Sequence, residues 1–186
     1  MKGVYKYVWI GVIALFLMGC NSLKGPEEKG EFRLSSEIFG SGPYHVLGYL
    51  YEESEFYRYK YQGDKIPDII NEGYRVLAEG GGVVSLPGFN TPGQINGFAL
   101  IGEFETLEGA RSFYEGYDNV EDGLQFETVS DTVELYQVWV QQTSASKYVK
   151  LLVKDILDRE GDSGAPFNDV VLEYTYQSDG STKFPD

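Results

Sequence analysis

Histidine, cysteine and methionine are nearly absent from this chain. His45 is the only histidine, Cys20 the only cysteine, and the two methionines are Met1 and Met18. A single cysteine rules out an internal disulfide, so the fold must be held by its core. A single histidine rules out chemistry that needs two imidazoles. Basic residues are scarce as well: 15 Lys+Arg stand against 29 Asp+Glu, a net charge of −14 over 186 residues. That balance argues against a nucleic-acid partner, whose affinity rests on Lys and Arg at phosphates. It also argues against direct adsorption to anionic lipid. Residues 8–18 form one uncharged apolar run of eleven residues. A spanning helix needs roughly 20.

What is present at the start has a clear order. Lys2 and Lys6 lead, the apolar run follows, and Leu17-Met18-Gly19-Cys20 closes it. A positive leader with a run of this length reads as a secretory signal peptide. The four closing residues resemble the lipobox of bacterial lipoproteins. In that family the cysteine sulfur takes a diacylglycerol, the signal is removed, and the new amino terminus is acylated. The resemblance therefore implies a signal peptide over 1–19, lipidation at Cys20 and a membrane partner held through its acyl chains. Two or more acyl chains anchor a protein firmly where one does not. Removing 1–19 takes away two lysines and no acids. Residues 20–186 then carry 13 Lys+Arg against 29 Asp+Glu, a charge of −16.

The stretch from Asn21 to Ser36 contains Lys24-Gly25-Pro26-Glu27-Glu28-Lys29-Gly30. Its Gly, Pro and charge content reads as a flexible tether, assigned to 20–37. A single β-rich domain is expected over 38–186. Residues 44–51 and 56–61 read as strands around the polar turn Glu52-Glu53-Ser54-Glu55. Residues 88–93 read as a loop and 95–104 as a strand. Thr106 is positioned as an N-cap, and Ala110, Phe113, Tyr114 and Tyr117 share one helical face. Arg111 is spaced to pair with Glu108 and Glu115. From Thr132 onward the pattern is a meander: strands at 134–143 and 147–156, then Val170, Leu172, Tyr174 and Tyr176 alternating with their neighbours. Asp179-Gly180 signals a turn into a last short strand at 181–184. The fold class is thus α+β, mostly antiparallel β in a meander or sandwich-like arrangement, with one short helix near 107–117.

The end of the chain carries a second resemblance. Lys147-Tyr148-Val149-Lys150-Leu151, then residues 173–181 and Phe184-Pro185, are similar to the ending of small Bacteroidota lipoproteins, including the HmuY-like group. The resemblance implies a β-rich fold and a cell-envelope, outer-membrane location. Haem capture in that group uses a pair of histidines, which this chain lacks, so no cofactor is expected.

Two motifs invite chemistry. Gly161-Asp162-Ser163-Gly164-Ala165-Pro166 resembles the nucleophile loop of trypsin-like proteases, which also needs a histidine base and an orienting aspartate. His45 sits in an unrelated context, so the run reads as a Gly-rich loop between strands. Asp158, Glu160, Asp162, Asn168 and Asp169 resemble a calcium loop, but glycine comes one position late and position twelve is not glutamate. No metal site is assigned. Tyr57, Tyr59 and Tyr61 alternate along one strand face. With Tyr49, Tyr51 and Trp139 they form either a sugar-stacking platform or, as strand faces usually do, part of the core. The stripe is expected to be buried. The expectation is a lipid-anchored envelope protein without a catalytic constellation, binding a glycan or protein ligand or acting structurally. The alternative is a hydrolase, either a serine enzyme using the Gly-Asp-Ser-Gly run or a carboxylate glycosidase.

Overall fold

Alternation of apolar and polar residues is clear in two of the observed strands, Lys29–Ser35 and Pro166–Gln177. A computed structural model describes residues 25–39, 45–59 and 65–186. Within them lie β1 (Lys29–Ser35), β2 (Leu47–Leu50), β3 (Glu55–Arg58), β4 (Ile69–Asn71), β5 (Tyr74–Leu77), β6 (Val83–Leu86), β7 (Phe89–Asn90) and β8 (Phe98–Gly102). Helix α1 (Leu107–Gly116) follows, then β9 (Val138–Gln142), β10 (Tyr148–Glu160) and β11 (Pro166–Gln177). Five strands form one sheet in the order β1-β11-β10-β9-β8, four form another in the order β3-β2-β4-β7, and β5-β6 is a separate hairpin. All pairings are antiparallel. The α+β, mainly antiparallel reading with one short helix at 107–116 is what the chain adopts.

The five-stranded sheet is built on its longest hairpin. Val170, Leu172, Tyr174 and Tyr176 of β11 face the same way as Val149, Leu151 and Val153 of β10, and all seven are buried. Phe32 and Leu34 of β1 join them, with Tyr49 of β2, Ile69 of β4 and Phe89 of β7 from the four-stranded sheet. Aromatic rings fill much of this core. Phe32 stacks on Tyr49 at 4.4 Å, and Tyr51 stacks on Tyr176 at 5.5 Å. The opposite face of the same sheet carries Leu152 and Val138, which pack on Ala110 and Tyr114 of α1. Thr106 starts the helix by accepting from the Gly109 N–H at 3.2 Å. Arg111 reaches across to Glu173 of β11 at 3.0 Å, rather than along the helix to Glu108 or Glu115.

Several expectations change. The stretch assigned to a tether contains β1, so ordered structure begins no later than Lys29 and not at residue 38. The physical reason is a short alternation hidden behind polar composition: Phe32 and Leu34 point inward while Glu31 and Arg33 point out. Gly30 pairs with Tyr174 in that strand, and its lack of a side chain makes room for the Tyr174 ring, which a Cβ would approach to 2.8 Å. The expected loop at 88–93 contains β7. The last short strand does not form: Asn119 and Lys183 make an isolated bridge, and Phe184 is buried against Tyr117, Val120 and Val140. Residues 1–24, Tyr44 and Tyr61, including the signal run and Cys20, lie outside the described residues.

Tyr57, the first residue of the tyrosine stripe, faces the other way. Register places Tyr57 opposite Gly48 and Phe56 opposite Tyr49. Phe56 is therefore on the core side, 5.0 Å from the Tyr49 ring, though 42% exposed at the rim. Tyr57 lies on the outer face with Glu53, Glu55 and Lys65 as hydrogen-bond partners. Tyr49, Tyr51 and Trp139 are the buried aromatics instead. Period two assigns residues to faces but does not say which face is covered.

Candidate functional site

Two sharp turns flank a recess of the described surface. At the end of β10 the chain reverses through residues 161–165. The Gly161 N–H donates to the Ala165 carbonyl at 3.0 Å, and the Gly164 N–H to the Gly161 carbonyl at 2.8 Å. Gly164 has φ +74°, a left-handed conformation that glycine adopts without steric cost. The Gly-Asp-Ser-Gly run is thus a hairpin turn. Between β4 and β5, Gly73 has φ +63°, and a Cβ there would meet Ser36 at 2.7 Å and Ser85 at 2.9 Å. The two reversals flank a cleft of about 900 Å³. Its walls come from Ser36, Glu37 and Ile38 after β1, from Glu72, Tyr74 and Arg75, and from Asp162, Ser163, Pro166 and Phe167.

A buried amide network underlies that cleft. The Asn71 Nδ2 donates to the Asn168 Oδ1 at 2.7 Å, and the Asn168 Nδ2 donates to the Ser85 Oγ at 3.1 Å. The Asn168 N–H donates to the Ser36 Oγ at 2.9 Å, and the Gly88 N–H donates to the Asn71 Oδ1 at 3.2 Å. Asn71 and Asn168 are fully buried, yet each amide is satisfied on both sides. The network ties the end of β1, β4, β6 and β11 together, so the walls of the cleft are held to one another. Sequence reading missed it. Asn168 stood out only as part of an acidic ladder, and the other three residues carried no signal.

Ser163 is exposed at the turn, and none of the described residues lining the cleft is a histidine. His45 lies beside β2, where its carbonyl accepts from the Phe39 N–H at 2.6 Å. The acidic ladder is split by the fold: Asp158 and Glu160 are on β10, Asn168 and Asp169 on β11, and Asp169 is bonded to Arg159 at 3.4 Å. Among the described residues, no group of three or more metal-ligating side chains is assembled.

A second recess, about 630 Å³, opens beside α1 and exposes the surroundings of Lys150. Lys150 is only 4% exposed. Its ammonium donates to the Tyr114 carbonyl at 2.5 Å and to the Tyr117 carbonyl at 2.7 Å. It lies 4.5 Å from the Tyr114 ring centre and 5.3 Å from that of Phe184. Burial pushes the amine down to about 8, with Asp118 pulling it back up. Helix α1 has no basic residue in its last turn, so Lys150 supplies the positive charge its carbonyl end needs. An amine committed to two carbonyls is a cap, not a nucleophile.

No protein-family model matches the chain, and no curated protein matches it.

Proposed function

We propose that this protein is a lipid-anchored lipoprotein of the bacterial cell envelope, attached to the outer membrane through Cys20 and acting by binding or as a structural component. The observation that carries the reading is Leu17-Met18-Gly19-Cys20 at the end of an uncharged run behind Lys2 and Lys6. Sulfur-linked and amino-terminal acyl chains supply the attachment. The acidic surface of residues 20–186 has no attraction of its own for anionic lipid.

The position of β1 fits an anchored domain. Eight residues, 21–28, lie between Cys20 and Lys29, and these nine Cα steps reach at most about 32 Å when extended. Lys29 pairs with Thr175 and Ser35 with Asp169, so β1 leads from the anchor toward the cleft. The cleft thus lies at the end of β1 opposite the end that follows Cys20 in the chain. We also infer a sandwich-like arrangement of the five- and four-stranded sheets. The shared core of Phe32, Leu172 and Tyr174 with Tyr49, Ile69 and Phe89 supports it. The likeness of the final third to HmuY-like lipoproteins agrees with the location and brings no ligand.

The test is Cys20→Ser in a bacterium that processes lipoproteins. The wild-type chain is expected to incorporate labelled palmitate and lose residues 1–19, and the variant to do neither. Palmitate in the variant, or none in the wild type, overturns the reading.

A further inference from the structure

The cleft is flanked by aliphatic side chains that the core does not explain. In the β5-β6 hairpin, Val76 pairs with Val84 and Leu77 with Val83. Successive residues point to opposite faces, so both faces of the hairpin tip are aliphatic. Leu77 is 78% exposed and Val83 49% exposed, and Val76 and Val84 are exposed as well. A solvated two-stranded ribbon ordinarily keeps at least one face polar, and an exposed apolar ribbon marks an interaction site. The base of this ribbon, Tyr74 and Arg75, is a wall of the cleft.

Charge selects the occupant. The cleft presents Glu37, Glu72 and Asp162 against Arg75 alone. A second copy of this chain is a poor fit, because the rim and the whole chain, at −14, are acidic.

We propose that the cleft and the β5-β6 ribbon bind a basic, aliphatic polypeptide segment of another protein. The proposal rests on the reading of the chain as an anchored binding protein and gives that reading its site and partner class. Aliphatic side chains of the partner cover Leu77 and Val83, and its lysines or arginines meet the three carboxylates.

The experiment uses the full chain in non-ionic detergent, with empty micelles as the blank. The probe is a blocked hexapeptide of alternating lysine and leucine, with its glutamate-leucine counterpart as control. Calorimetry is expected to show the lysine peptide binding at least about tenfold more tightly than the glutamate peptide, with the difference shrinking as salt rises. Leu77→Asp with Val83→Asp is expected to weaken binding by about tenfold or more. Both positions are exposed, so thermal melting should stay unchanged. Binding of the lysine peptide unaffected by the double variant overturns the proposal. So does no binding up to about 1 mM, or self-association of the chain that the double variant abolishes. Acylation is read by mass on the same preparation, so failure of the peptide site and failure of the anchor are separate results.

Discussion

Asp68 should make stability fall as pH rises through the weakly acidic range. It precedes β4 and is 4% exposed, and its Oδ2 accepts from the Tyr51 N–H at 3.1 Å. Burial pushes its carboxyl from 3.8 up to about 6, with the Tyr51 N–H and Lys147 opposing and Glu52 adding to the rise. The folded chain therefore holds the proton more tightly than the unfolded chain does. The stabilising contribution is complete below the unfolded value of 3.8 and is lost as pH climbs to about 6. A shift of about two units at 1.36 kcal/mol each amounts to about 3 kcal/mol, a sizeable part of a typical domain stability of about 5–15 kcal/mol.

Asp68→Asn isolates the effect. The side-chain oxygen of asparagine can still accept from Tyr51, while its amide cannot ionise. Urea unfolding of both proteins between about pH 4 and pH 7.5 gives a stability difference at each pH, and other titrating carboxylates cancel. That difference should move by about 3 kcal/mol in favour of the variant as pH rises, with most of the change below about pH 6. A difference that stays flat across the window, or moves toward the wild type, refutes the reasoning.

Other outcomes follow from the same geometry. Tyr51→Ala should cost about 3–5 kcal/mol, since it empties a core position and strands Gln141. Tyr57→Ala should cost under about 1 kcal/mol, both variants being measured by urea unfolding. Asn168→Ala should cost about 2–4 kcal/mol by leaving Asn71 and Ser85 without their partner, measured by urea unfolding. Ser163→Ala should change stability by less than about 0.5 kcal/mol, and fluorophosphonate probes should leave the wild-type serine unlabelled.

The parts of the fold legible in the sequence are those written by local periodicity. Val170, Leu172, Tyr174 and Tyr176 announce β11, and Thr106 with Ala110 and Tyr114 announces α1. β1 was hidden because Gly30 and the charges before it carry the composition of a linker, while only Phe32 and Leu34 carry the alternation. The sidedness of β3 was hidden because it depends on what lies opposite: Phe56 sits beside Tyr49 on the core side, while Tyr57 sits over Gly48 on the other face. The cleft was least legible. Ser36 and Asn168 are 132 residues apart, and the Gly161-Asp162-Ser163-Gly164 run, legible as a Gly-rich loop between strands, carries no sign that it walls a cleft.

Intact mass spectrometry of the membrane-fraction protein tests the anchoring claim most directly. The expected mass is that of residues 20–186 plus a diacylglycerol and an amino-terminal acyl chain. A chain that retains residues 1–19, or begins at Cys20 without added lipid mass, contradicts the claim.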